Sequence, residues 1–383
     1  MKIGGRSSVK GNELPLCAVL LAGGRGTRFW PRSRMRTPKQ LLNIVGRETM
    51  LRETTARLQP LIPPSNVWVV THEGQARVVE RELREVPAAH ILAEPVGRNT
   101  AAAIGLAAIH LAREYGDALM AVLPADSYIA NAPLYRSLVR AALDLARVPG
   151  NLVVLGIEPS RPETGYGYIE RGARASTLRG VGTYLVQRFT EKPKLPLARK
   201  YVASGKYLWN AGMFFWRVST FLENLRKFLP ATHGELSELG KTVGTPRYDP
   251  ALRRIYRRLE DISVDYALME PATHREKRGT GTDEAGVFVI PAKVGWSDIG
   301  SWAAVYELLA AKRGANVSAG PSFTFDAKGN YFWSPNKFVS AIGVSNLVLV
   351  ETEDAILLCP RDRSQEVGKI VKWLEQKRLS RLL

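Results

Sequence analysis

Residues 16–42 read LCAVLLAGGRGTRFWPRSRMRTPKQLL. The first six are uniformly apolar, as in a strand covered on both faces. Gly23, Gly24 and Gly26 follow at once, with Arg25 and Arg28 among them. Glycines at a strand exit let backbone N–H groups turn into a concave nest, and the arginines add positive charge, so this turn reads as a loop for a phosphate-like anion. A plain strand-exit turn remains the alternative for this stretch alone. A dinucleotide fingerprint is excluded, because Phe29 stands where the third glycine of G-x-G-x-x-G would fall.

Outward from this loop, the first 160 residues alternate apolar runs with helix-like stretches. VWVV (67–70), HILAEP (90–95), ALMAVLP (118–124) and NLVVLGI (151–157) read as buried strands. Between them, stretches beginning at Thr49, Glu73, Asn99 and Leu134 space their apolar residues by three and four, as amphipathic helices do. Such alternation predicts an α/β fold, a Rossmann-like and mostly parallel sheet with helices on both faces. Its ligands are expected beyond the carboxyl ends of the strands.

From about Thr164 the pattern shifts to longer antiparallel or mixed strands, in GYGYIERG, TYLVQRFTEKP and NAGMFFWRV. A helix is expected over Pro250–Met269. After Asn316, short strands crowd together in NYFWS, KFVSAIGV, NLVLVET and AILLCP, before a last amphipathic helix over Asp362–Leu379. The division expected is a catalytic domain over 1–315 and a small β-rich, β-helix-like domain over 316–383.

The 383 residues carry 54 Lys and Arg against 36 Asp and Glu, a net charge of +18. That balance suits phosphorylated substrates, nucleic acid or a membrane surface. The charge is spread along the chain with no basic block, and the tryptophans sit inside strand-like or motif segments, which argues against a nucleic-acid binder. The N-terminal stretch has no apolar core for a signal peptide, and no apolar run approaches a membrane span. Cys17 and Cys359 both lie in apolar runs and read as buried thiols in a reducing, cytoplasmic setting.

Two carboxylates lie at strand exits, Asp126 after LMAVLP and Asp298 in GWSDIGSW. Either alone reads as a turn or helix cap. As a pair beside a phosphate loop they suit Mg²⁺, which commonly takes one or two protein carboxylates plus substrate phosphates. No Cys–His cluster has zinc spacing, and no G-x-S-x-G elbow is present. GELSELGKT (234–242) imitates a P-loop, but has five residues between its glycines instead of four and a helical core.

LAGGRGTRFWPRSRMRTPKQLL resembles the signature of the sugar-phosphate nucleotidyltransferases, L-A-G-G-x-G-T-R-L with a later P-K. AEPVGRNTAAAI, LPADSYI, TGYGYIERG with FTEKP, and WNAGMFFW with GWSDIGSW follow in the family's order. The F-W-P-x-S and P-K-Q variant is similar to the branch that uses GTP and mannose 1-phosphate. The resemblance covers nearly the whole chain.

It implies transfer of a nucleotidyl group from GTP to mannose 1-phosphate, with release of pyrophosphate and assistance from Mg²⁺. By the same resemblance, Arg25 and Lys39 would act on the phosphates, and Asp126 and Asp298 would be the metal ligands. Leu21, Ala22, Gly23, Gly24, Gly26, Thr27, Glu94, Asn99 and Thr100 would hold the nucleotide. Gly167, Glu191, Lys192 and Asn210 would hold the sugar phosphate.

Relatives often have histidine where Ser127 stands. Many also carry a further cupin-type isomerase domain, and with the sequence ending at Leu383 no isomerase activity is expected. The same fold acting on another sugar phosphate or nucleotide stays open, as does a regulatory member without catalysis, although Arg25, Lys39 and both aspartates are present. A homodimer is a possible assembly; no nucleic-acid or membrane partner is expected.

Overall fold

The computed structural model describes residues 13–273 and 285–383. Its strands begin with β1 (Leu16–Leu21), β2 (Val67–His72), β3 (Ile91–Glu94) and β4 (Leu119–Pro124). After a two-residue β5 (Tyr128–Ile129) come β6 (Leu152–Ile157), β7 (Tyr168–Leu178), β8 (Val181–Thr190), β9 (Tyr207–Arg217) and β10 (Val287–Pro291). A second two-residue strand, β11, is Trp296–Ser297. All but β5 and β11 form one nine-stranded sheet in the order β3-β2-β1-β4-β9-β6-β10-β8-β7. The pairings of β1 with β2 and β4, of β2 with β3 and of β10 with β6 are parallel. Only β8 and β9 run against the remaining strands, so the sheet is mostly parallel in direction.

Eleven helices are described: α1 (Met50–Arg57), α2 (Glu73–Glu82), α3 (Asn99–Tyr115), α4 (Ala132–Ala146), α5 (Leu195–Ser204) and α6 (Val218–Phe228), then α7 (Pro230–Gly240), α8 (Tyr248–Tyr256), α9 (Glu270–Thr273), α10 (Trp302–Leu309) and α11 (Gly368–Gln376). Successive side chains of a strand face opposite sides of the sheet, and β1 uses this fully. Cys17 and Val19 enter a core with α3, α6 and α7, whereas Ala18 and Leu20 enter a second core with α1 and α4. Cover on both faces explains why the strand is apolar throughout. Burial also pushes the Cys17 thiol up to about 12, which keeps it protonated and inert. Cys359 is only half buried, because alternate residues of its strand face outward.

The expected helix over Pro250–Met269 is interrupted. Between α8 and a π-turn at Asp265–Met269, the chain leaves helical geometry to cap α3. Ala101 N–H donates to the Ile262 carbonyl at 3.2 Å, and Val264 N–H donates to Thr100 Oγ1 at 2.8 Å. Those tertiary bonds outweigh the helical periodicity of the segment.

The C-terminal strands are β12 (Val317–Ala319), β13 (Ser322–Phe325), β14 (Tyr331–Trp333), β15 (Val339–Ile342), β16 (Leu347–Glu351) and β17 (Ile356–Pro360). β12, β14 and β16 stack in parallel on one face and β13 and β15 on another, a short upright β-helix closed by antiparallel β17. The fully buried Asn330 ties its turns together, donating to Asn316 Oδ1 and the Val344 carbonyl and accepting from Leu347 N–H. The last expected helix starts as a 3-10 stretch over Arg361–Val367 and continues as α11.

A third core joins this coil to the first loop. Phe29, Trp30, Leu42 and Ile44 pack with Trp302 and Tyr306 of α10 and with Tyr331, Val348, Val371 and Leu374. Trp302 is fully buried at its centre. It meets Phe29 edge-on at 5.0 Å, stacks over Tyr331 at 5.8 Å, and donates from Nε1 to the Trp30 carbonyl at 3.3 Å. Trp302→Ala should therefore cost about 3–5 kcal/mol in urea unfolding, the range for emptying a large aromatic site. A loss below about 1 kcal/mol would show that the two parts are stabilised independently.

Candidate active site

The first loop leaves β1 at Leu21. Ala22 N–H extends the parallel ladder to the Val70 carbonyl at 2.8 Å, and the chain then turns through the glycines. Gly26 has φ of +61°, and a Cβ there would lie 2.4 Å from Lys39 Cβ. Both the backbone conformation and the close approach require glycine. Gly26 also accepts at its carbonyl from Phe29 N–H and Ser33 Oγ, which fixes the 3-10 turn Thr27–Phe29. The loop thereby brings its second half, with Lys39, under its first.

Lys39 is buried, and its ammonium is fully engaged. Nζ donates to Asp126 Oδ2 at 2.9 Å, to the Asp126 carbonyl at 2.9 Å and to the Asp298 carbonyl at 2.5 Å. The two aspartate loops meet because β5 and β11 pair just beyond them, Trp296 with Ile129 and Ser297 with Tyr128. Asp298 Oδ1 accepts from the Tyr166 hydroxyl at 2.5 Å. Burial, then the Asp298 charge, pushes the Tyr166 hydroxyl well above the ordinary phenol range, so Tyr166 stays a donor. Behind Asp298, the buried β-branched Ile299 holds φ of +43°. That strain is the kind kept where a loop must aim a side chain. Helix α10 is N-capped by Ser301 without a side-chain bond, so Asp298 does not serve as its cap.

These groups form one end of a cleft of about 420 Å³. Gly24, Gly26, Arg28, Lys39, Asp126 and Asp298 line that end, and Gly167, Glu191, Asn210 and Asp265 line the other. At the second end, Asn210 Nδ2 donates to Asp265 Oδ1 at 2.7 Å, and Glu191 Oε1 accepts from Lys192 Nζ at 2.5 Å. Glu191 Oε2 is buried with no hydrogen-bond partner. Burial, reinforced by the Asp265 charge, raises the Glu191 carboxyl above its usual range. Burial opposes charge on Lys192 too, but the bond to Glu191 raises its pKa overall.

Eight of the residues expected from sequence line the cleft: Gly24, Gly26, Lys39, Asp126, Gly167, Glu191, Asn210 and Asp298. Arg25 does not. Its guanidinium turns out toward α11 and pairs with Glu375 at 2.6 Å, whereas Arg28 lines the cleft and donates to Gln365 Oε1 at 2.6 Å. Thr27 lies against Gly368, at the start of α11. Glu94 is buried where β3 ends, within 3.2 Å of where a Gly23 Cβ would stand. Asn99 opens α3 in a left-handed conformation (φ +60°), and the Thr100 hydroxyl is occupied by Val264 N–H. Tyr166 and Asp265 are cleft residues that the sequence reading missed. The double glycine and aromatic rhythm of TGYGY hinted at Tyr166; the helical periodicity around Asp265 concealed it.

Two family models match the chain: nucleotidyl transferase over residues 17–313, and the MannoseP isomerase/GMP-like beta-helix domain over residues 321–374. A mannose-1-phosphate guanylyltransferase of Klebsiella pneumoniae is 40% identical over 95% of this chain and 75% of its own length. One from Escherichia coli is 40% identical over 94% of this chain and 74% of its own. A crystal structure of a protein from Thermus thermophilus, named mannose-1-phosphate geranyltransferase, superposes with a TM-score of 0.83 at 33% identity, covering 94% of this chain and all of that one.

Glu94, buried behind the first loop, offers a direct check on local electrostatics. Burial raises its pKa to about 7, although Tyr256 donates to its Oε1 at 2.6 Å. As pH rises from about 4.5 to 7, the unfolded carboxyl loses its proton while the folded one keeps it, so this group's contribution to stability falls over that window. Glu94→Gln removes the dependence. Measured against the unaltered protein, the variant should gain stability between pH 5 and pH 8, by roughly 3 kcal/mol at most. A difference that stays flat with pH would mean Glu94 ionises normally.

Proposed function

This chain belongs to the sugar-phosphate nucleotidyltransferase family, and from that premise we propose that it transfers GMP from GTP to α-D-mannose 1-phosphate, releasing pyrophosphate and GDP-mannose. The observation that carries the reading is the Lys39 ammonium bonded to both aspartate loops on the floor of a cleft whose other end is built from Glu191, Asn210 and Asp265. Lys39, Arg28 and the glycine backbone at one end and carboxylate acceptors at the other suit a triphosphate facing the hydroxyls of a sugar.

In the reaction a phosphate oxygen of the sugar 1-phosphate attacks the α-phosphorus of GTP in line. The new P–O bond forms as the bond to the bridging α–β oxygen breaks, and that electron pair leaves with pyrophosphate. Positioning and charge neutralisation supply the rate. Gly24 and Gly26 bring backbone close to the phosphates, and Arg28 adds a cation on the cleft wall. Lys39 neutralises charge as it builds near the α-phosphate. Asp126 and Asp298 are oxygen donors on one cleft, a set that fits a hard divalent cation, and we assign Mg²⁺ to them. Bound there, the ion supplies neutralisation of phosphate charge. Glu94 and Asn99 lie near the first loop and the start of α3, where a base and ribose would extend. Lys192 holds the incoming sugar's phosphate.

A pyrophosphate-release assay across four nucleoside triphosphates and several sugar 1-phosphates tests the pairing. GTP with mannose 1-phosphate should have the highest kcat/KM, and a higher value for UTP or dTTP would overturn the guanylyl assignment. The lysines are separable by kinetics. Lys39→Ala removes an interaction that strengthens in the transition state, so kcat should fall by about 10²-fold or more. Lys192→Ala removes one present throughout, so chiefly the KM for the sugar phosphate should rise. A Lys192→Ala enzyme with weakened GTP and untouched sugar-phosphate affinity would put the sugar elsewhere.

A further inference from the structure

The sugar end of the cleft holds more acceptor capacity than the sequence motifs account for. The Glu191 side chain is only 6% exposed. Its Oε1 takes Lys192, yet its Oε2 has no partner. That oxygen lies against Gly167, a cleft residue: a Cβ there would lie 2.3 Å from Glu191 Oε2, so only glycine fits beside it. An unpaired buried carboxylate oxygen costs about 1–3 kcal/mol until a donor reaches it.

Asp265 lines the cleft alongside. It is the first residue of the π-turn, a distortion that recurs at functional sites. Asn210 Nδ2 holds one of its oxygens at 2.7 Å, and Asn210 Oδ1 itself accepts from Gly212 N–H at 2.9 Å, so the side chain is oriented. Two carboxylates this close repel, and both are raised in pKa, first by burial. A ligand relieves them by donating hydrogens, which is what adjacent ring hydroxyls do.

We propose that Asp265 is a specificity-determining residue of the sugar site, accepting a ring hydroxyl next to the one that fills Glu191 Oε2. This rests on the sugar 1-phosphate reading above. Two acceptors on neighbouring hydroxyls read their relative configuration, because an epimer that satisfies one leaves the other buried and unpaired.

The test uses the full chain and begins with the unaltered enzyme, which identifies its preferred sugar 1-phosphate. Asp265→Asn is then assayed with that sugar, with its ring epimers and with GTP varied. Expected are a rise of about tenfold in KM for the sugar 1-phosphate, a GTP KM within about twofold, and a smaller preference over the epimers. Asp265→Glu keeps the charge but moves it by one methylene; it should show the same split and covers the case in which Asp265→Asn fails to fold. Equal rises in both KM values would assign a structural role and overturn the proposal, as would unchanged epimer preference. An unaltered enzyme preferring a different sugar defeats the mannose reading alone, since Asp265 is still tested with the sugar it does use.

Discussion

One ammonium group ties the cleft together. Lys39 Nζ bonds Asp126 through its carboxylate and carbonyl and Asp298 through its carbonyl, so three loops from distant parts of the chain share one buried cation. Such an arrangement is stable only if each partner is delivered at hydrogen-bond distance, because a buried charge without partners is expensive. The supporting features follow from that demand. Gly26 lacks a side chain so that Lys39 can pass beneath it, β5 pairs with β11 so that the aspartate loops converge, and Ile299 accepts a strained backbone behind Asp298. A parallel sheet supplies the frame, with strand ends gathered on one edge.

The two ends of the cleft solve different electrostatic problems. At one end, Arg28 and Lys39 stand beside the glycine backbone and the carboxylates of Asp126 and Asp298. At the other, Lys192 holds Glu191 and Asn210 holds Asp265, with Glu191 Oε2 left without a protein donor.

Features carried by contiguous residues were legible in the sequence. The apolar run of β1, the glycines after it and the order of the later motifs all depend on local chemistry, and the α/β sheet and β-helix-like coil followed from their spacing. What escaped depends on long-range contacts. β5 and β11 are two residues each, too short for any periodicity to register. Asp265 lay hidden in a helical pattern that breaks only because the preceding residues bond to the start of α3. The direction of Arg25 depends on a carboxylate that no local rule connects to it. Thr100, expected beside a nucleotide, spends its hydroxyl on Val264.

The pair formed by Arg25 and Glu375 spans 350 residues of chain. The first loop also rests on Gly368 and Gln365, and its Phe29 and Trp30 share a core with Val371 and Leu374. The glycine loop is therefore finished by a segment synthesised some 350 residues after it. While the chain is still emerging from the ribosome, the central sheet can assemble around β1, but the glycine loop lacks the surface that shapes it. Contacts of such sequence separation close slowly. Nucleotide affinity should consequently arise as a late event in folding, after the sheet is already protected, and a nascent chain presents a scaffold before it presents a site.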